Sequence, residues 1–148
     1  MKILLIIPDN PVTSRFQLKT AGITPPLGVG YLASTLLKKP ENNVSILDNS
    51  IEHFSDERFI EYLKTIKPEI AGFSVLTCSS LKALHMARLV KDFDPCIKVV
   101  FGGAHATALA THMLSFNEVD IIVKGEGEMT FFDICLALSS KNDLDQVK

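Results

Sequence analysis

Four short, almost uninterrupted apolar runs, at residues 3–7, 70–76, 97–101 and 119–123, constrain this chain more than any other feature. Strands buried on both faces of a parallel sheet have this pattern, whereas a half-exposed strand alternates apolar with polar residues. A fifth run, residues 44–47, is shorter and partly polar, as suits an edge strand. Between the runs lie helical periodicities at 27–38, 55–66, 80–93, 106–116 and 126–138. The clearest is 80–93, where Ala83, Met86, Val90 and Phe93 form one stripe and His85, Arg88 and Asp92 share another side. His85 is therefore expected to be a solvated helix residue. Strand and helix repeated five times predict an α/β fold: a doubly wound, five-stranded parallel sheet, Rossmann-like or flavodoxin-like, with strand order 2-1-3-4-5 and helices on both faces.

The chain has 148 residues, 47% of them hydrophobic, which suits one domain with one substantial core. Fifteen basic residues oppose seventeen acidic ones, and no Lys/Arg run or aromatic-basic interleaving tracks a phosphate backbone, so nucleic acid is not an expected partner. Cys78, Cys96 and Cys135 are too few and too far apart for a disulfide framework, a zinc site or an iron–sulfur site built from this chain alone. The apolar start is shorter than the core of a signal peptide, and no run approaches the ~18 residues of a membrane span. A soluble, cytoplasmic protein with reduced thiols is expected. Residues 1–138 read as the domain and the polar tail 139–148 as an exit from it.

In such a sheet the ligand crevice lies outside the carboxyl ends of the strands. The first connection, 8–26, carries Pro8, Pro11, Pro25 and Pro26 and spans about 19 residues where roughly two to six suffice, a sign of a functional loop. Gly28-Val29-Gly30-Tyr31-Leu32-Ala33 mimics a dinucleotide fingerprint, but it stands about 20 residues beyond the first strand rather than in the turn that follows it. Gly28 and Gly30 are expected to let a helix pack closely on the sheet. After the third strand, Ser79 or Ser80 is expected to cap the next helix, leaving the Ser74 and Thr77 hydroxyls for a ligand or for local backbone. Gly102-Gly103 either admits a ligand to the backbone or makes a simple turn. His105 is read as touching a ligand or ordering its loop, with no metal role. Gly125, Glu126 and Gly127 lie at the crevice rim, where Glu126 can accept hydrogen bonds from a ligand or steady a helix start.

These segments together resemble the cobalamin-binding domain that precedes the catalytic barrel in many cobalamin-dependent radical S-adenosylmethionine enzymes. The resemblance covers nearly the whole chain. It rests on Lys2-Ile3-Leu4-Leu5-Ile6, Pro25-Pro26-Leu27-Gly28, Ser74-Val75-Leu76, Val99-Val100-Phe101-Gly102-Gly103-Ala104-His105, and Val119-Asp120-Ile121-Ile122-Val123 with Gly125-Glu126-Gly127-Glu128. In the wider cobalamin-binding fold a D-x-H-x-x-G motif after strand 1 supplies a histidine to cobalt. Here the segment from Asp9 places Pro11 at the histidine position and Ser14 at the glycine position, and proline has no imidazole to offer. The resemblance thus implies cobalamin held base-off without the usual axial histidine, the lower face empty or holding water, and its nucleotide tail in a slot lined by Ser74, Leu76, Gly102 and Gly103. Thr77, His105, Gly125, Glu126 and Gly127 are the further cofactor contacts implied, with no catalytic or metal-ligating residue in this chain. The C-x-x-x-C-x-x-C signature of such enzymes is missing. A 4Fe-4S cluster and S-adenosylmethionine are therefore assigned to an absent C-terminal barrel, in cis or on a separate chain, that performs radical methyl transfer or a related reaction.

Two other classes share this topology. A receiver domain needs a phospho-acceptor aspartate after strand 3, and Phe73-Ser74-Val75-Leu76-Thr77 has none, although Lys124 falls near that family's lysine. A flavodoxin-like electron carrier needs a donor-rich phosphate loop after strand 1, and Pro8-Asp9-Asn10-Pro11 is poor in N–H groups and carries an anion. For a stand-alone enzyme, four separated histidines and no evident nucleophile supply no catalytic constellation; His53 and His112 are read as surface residues.

Overall fold

The computed structural model describes residues 1–9 and 25–140. Its elements run β1 (Lys2–Ile7), α1 (Leu27–Leu36), β2 (Asn43–Asp48), α2 (Asn49–Glu52), α3 (Asp56–Ile66), β3 (Ile70–Ser74), a 3₁₀ turn (Thr77–Ser79), α4 (Ser80–Phe93), β4 (Lys98–Gly102), α5 (Ala104–Ala108), α6 (Ala110–Met113), β5 (Ile121–Ile122) and α7 (Glu128–Ser140). The five strands form one parallel sheet in the order β2-β1-β3-β4-β5, as the sequence predicts.

Alternation along the central strands divides the core into two layers. Leu4, Ile6, Ala71, Phe73, Val99 and Phe101 face α3, α4, α5 and α6, meeting Phe59, Leu63, Met86, Val90 and Met113. Ile3, Leu5, Ile70 and Val100 face α1 and α7, meeting Val29, Ala33, Leu36, Phe131 and Ile134. The strands buried on both sides thus need apolar residues at every position, which is why their sequences do not alternate. The α4 stripe behaves as its periodicity predicts: Ala83, Met86 and Val90 are buried, and His85 is exposed, with Nε2 2.8 Å from Asp56 Oδ2.

Several expectations need correction. The run 119–123, read as a doubly buried strand, forms only the two-residue edge strand β5, and Ile121 and Ile122 are half-buried. Asp120 explains the shortness: its Oδ2 accepts the Val99 N–H at 2.7 Å, so a carboxylate takes a donor that a longer β5 would use. The helix expected at 106–116 begins at Ala104 and breaks at Leu109, whose φ of −122° leaves the helical range. No serine side chain caps α4. The Ser79 hydroxyl instead accepts from Leu76 N and donates to Leu76 O, both at 3.2 Å, and the 3₁₀ turn takes over the helix start. Nor do Gly28 and Gly30 lie against the sheet, because a Cβ on either meets nothing within 4 Å among the described residues. The glycine that permits close packing is Gly72, where a Cβ would come within 2.9 Å of Phe131 Cε2 and 3.1 Å of Leu5 Cδ2.

Candidate functional site

Register brings the site together. Pairing of β3 with β4 sets Ser74 beside Gly102 at the carboxyl edge, and the chain beyond each strand then locks to its neighbour. Val75 N donates to Gly102 O at 2.8 Å and His105 N donates to Val75 O at 3.1 Å. Gly103 makes this crossing possible, since its φ is +91° and a Cβ would lie 2.9 Å from Val75 O and 3.0 Å from Val75 N. Gly102 differs: its Cβ would meet nothing closer than Val123 O at 3.8 Å. The two adjacent glycines therefore have different reasons, a backbone crossing at Gly103 and open space at Gly102.

That open space is a cavity of about 210 Å³ on the α1/α7 side of the carboxyl edge. Leu5, Gly72 and Val100 line it from the sheet, Gly28, Val29 and Leu32 from α1, and Val123 and Phe131 from the β5–α7 side. Phe73, Ser74, Gly102, Gly103, Gly125, Glu126, Gly127 and Glu128 complete the lining. Gly125 has φ +68°, and its N–H donates to Thr107 Oγ1 at 3.0 Å, pinning the β5–α7 loop to α5. Among the described residues the Ser74 hydroxyl makes no hydrogen bond and is half-buried, so it is available to a ligand.

Six of the nine contacts named from the sequence, Ser74, Gly102, Gly103, Gly125, Glu126 and Gly127, thus meet around one cavity. Leu76, Thr77 and His105 do not line it. Leu76 is 53% exposed, and His105 is buried with Nδ1 3.2 Å from Thr77 Oγ1, an arrangement that orders the loops after β3 and β4. Sequence reasoning missed the apolar walls, Leu5, Val29, Leu32, Val100 and Phe131, because each also reads as ordinary core. It missed Glu128 as well, which stands in the first turn of α7. Asp9 at the end of β1 lies with Oδ2 3.3 Å from Nδ1 of the exposed His53. Pro11 and Ser14, the departures from the histidine motif, lie outside the described residues, as do most of the 8–26 loop and 141–148. Among the described residues no helix is long and apolar enough to cross a membrane.

Known proteins with this pattern agree with the resemblance drawn from the sequence. The chain is 34% identical over 97% of its length to an uncharacterized methyltransferase of Pyrococcus horikoshii, of which it spans 31%. The radical S-adenosylmethionine methyltransferase TsrM from Kitasatospora setae, solved with cobalamin and a [4Fe-4S] cluster bound, superposes with a TM-score of 0.73 at 18% identity, covering 99% of this chain and 28% of that one. A receiver domain, that of the Escherichia coli regulator RcsB, matches less well, with a TM-score of 0.59 at 14% identity over 97% of both chains. At these identities the structural likenesses establish the fold alone. The chain therefore spans about a third or less of the length of these two methyltransferases. The B12 binding domain family matches residues 17–134, and the chain belongs to that family, whose cofactor is cobalamin.

Proposed function

We propose that this chain holds cobalamin base-off, with the nucleotide tail in the cavity between α1 and α7 and no histidine of the β1 loop on cobalt. The observation that carries this reading is the cavity itself: an apolar slot at the carboxyl edge, open at Gly102, with one uncommitted hydroxyl, Ser74, at its mouth. An apolar cavity of about 150 Å³ accepts a benzene ring, so this larger, open one has room for a bicyclic base. When bound, cobalamin supplies a reducible cobalt centre that carries a methyl group. The chain's own residues hold and orient. Leu5, Val29, Val100 and Phe131 exclude water from the tail, Ser74 hydrogen-bonds its polar part, and Gly102 lets it approach the backbone. Glu126 and Glu128 accept from hydroxyls or amides at the rim. Leu76, Thr77, His105, Gly103, Gly125 and Gly127 shape the loops against which the corrin rests.

The domain proper is residues 1–138, leading from 139 towards a barrel that binds the 4Fe-4S cluster and S-adenosylmethionine for methyl transfer or a related reaction, in a cytoplasmic enzyme. The greater length of the methyltransferases it matches supports this reading. Anaerobic titration with hydroxocobalamin and with Co(II) cobalamin, followed by gel filtration, tests it. Co-elution with a base-off spectrum, and a Co(II) paramagnetic resonance signal free of nitrogen splitting, are expected. Absence of retained cofactor overturns the binding, and nitrogen splitting from His53 or His105 overturns the histidine-free lower face.

A further inference from the structure

The deep end of the cavity and its mouth differ in chemistry. Leu5, Val100 and Phe131 are each 3% exposed or less, and with Gly72 and Val29 they form an inner end without a polar side chain. Ser74, Glu126 and Glu128 stand at the outer end, half-buried or exposed. A flat base entering this slot leads with the edge opposite its sugar. On dimethylbenzimidazole that edge carries two methyl groups; on adenine it carries the exocyclic amine and a ring nitrogen. Buried against Leu5, Val100 and Phe131, those polar groups lose their water and gain no side-chain partner, a penalty that the methyl groups avoid.

Resting on the cobalamin reading of this site, we infer that the cavity selects among cobamides by their lower base, taking an apolar benzimidazole and rejecting a purine.

The test is a titration of this chain with three cobamides, read by absorption and by retention on gel filtration: cobalamin, its adenine-tailed analogue, and cobinamide, which lacks the tail. Cobalamin is expected to bind at least tenfold more tightly than the adenine form, equivalent to about 1.4 kcal/mol, and cobinamide more weakly than cobalamin. Adenine coordinates cobalt less well than dimethylbenzimidazole, so the adenine form reaches the base-off state at lower cost and the comparison is biased against the inference. Equal or tighter binding of the adenine form overturns the selectivity and leaves the cobalamin reading standing. Cobinamide binding as tightly as cobalamin removes the tail from the cavity and overturns it also. Retention of none of the three overturns both. A Val29→Thr variant, which places a hydroxyl on the α1 wall, should narrow the preference; an unchanged ratio with cobalamin affinity intact counts against the inner wall as its source.

Discussion

The backbone of Gly103 crosses that of Val75 so closely that a Cβ on Gly103 would lie 2.9 Å from the Val75 carbonyl oxygen. The same Val75 donates its N–H to Gly102 O and accepts from His105 N. The ends of β3 and β4 are thereby tied together at the point where the cavity opens, and the glycine pair divides its work between the crossing and the opening.

Gly103→Ala should destabilise the fold by about 2–3 kcal/mol, because it adds an unfavourable φ to a collision with backbone that cannot move aside. Gly102→Ala, with 3.8 Å of clearance, should leave stability within about 1 kcal/mol of the parent and weaken cobalamin binding instead. Urea midpoints and cofactor titrations on the two variants separate these effects, and equal destabilisation by both would contradict the division.

Gly72→Ala places a methyl group 2.9 Å from the buried Phe131 ring and 3.1 Å from Leu5. Overpacking of this kind costs about 1–3 kcal/mol, and the route of relief for Phe131 is into the cavity. Both stability and cobalamin affinity should fall, measured by thermal unfolding and by titration. A rise in stability would mean that Phe131 has free space elsewhere.

Acid sensitivity should carry a contribution from Glu118. Its carboxylate accepts from Arg88 Nη2 at 2.6 Å and Nε at 2.8 Å. The Arg88 hydrogen bonds first, then a backbone hydrogen bond, hold it below its ordinary value of 4.5. A depressed carboxyl stabilises the fold above its unfolded value and loses that contribution as pH falls through the folded one. Denaturant midpoints should therefore drop below pH 4.5 less steeply in Arg88→Ala than in the parent. The difference is small because Arg88 is largely exposed, and identical profiles would remove Glu118 from the account.

The cysteines should react in two classes. Cys78 and Cys96 are exposed, while Cys135 lies on the buried face of α7 and burial pushes its thiol up to about 12. A thiol reagent at mildly alkaline pH should modify the first two promptly and Cys135 only on unfolding. Mass spectrometry of the labelled chain checks this, and early labelling of Cys135 would show that α7 opens in the native state.

Composition and periodicity alone determined the layer order of this protein. Runs such as Ile3-Leu4-Leu5-Ile6 admit no polar face, so the strands had to lie between helices, and connections of helix length made the sheet parallel. The positions of Ser74 and Gly102 at strand ends were legible for the same reason. What only the tertiary structure decided is the meaning of residues that serve equally well in two roles. Leu5, Val100 and Phe131 are core by any pattern, and only the gap left between α1 and α7 turns them into the wall of a cavity. Gly28 and Gly103 look alike in sequence, yet one faces open space and the other a carbonyl at 2.9 Å. For Thr77 and His105 the sequence left ligand contact and local order both open, and only the folded chain brings the two side chains within 3.2 Å of each other. Short-range patterns encode which side chains are buried; which of them border an empty space depends on distances between elements far apart in the chain, and those are set by packing.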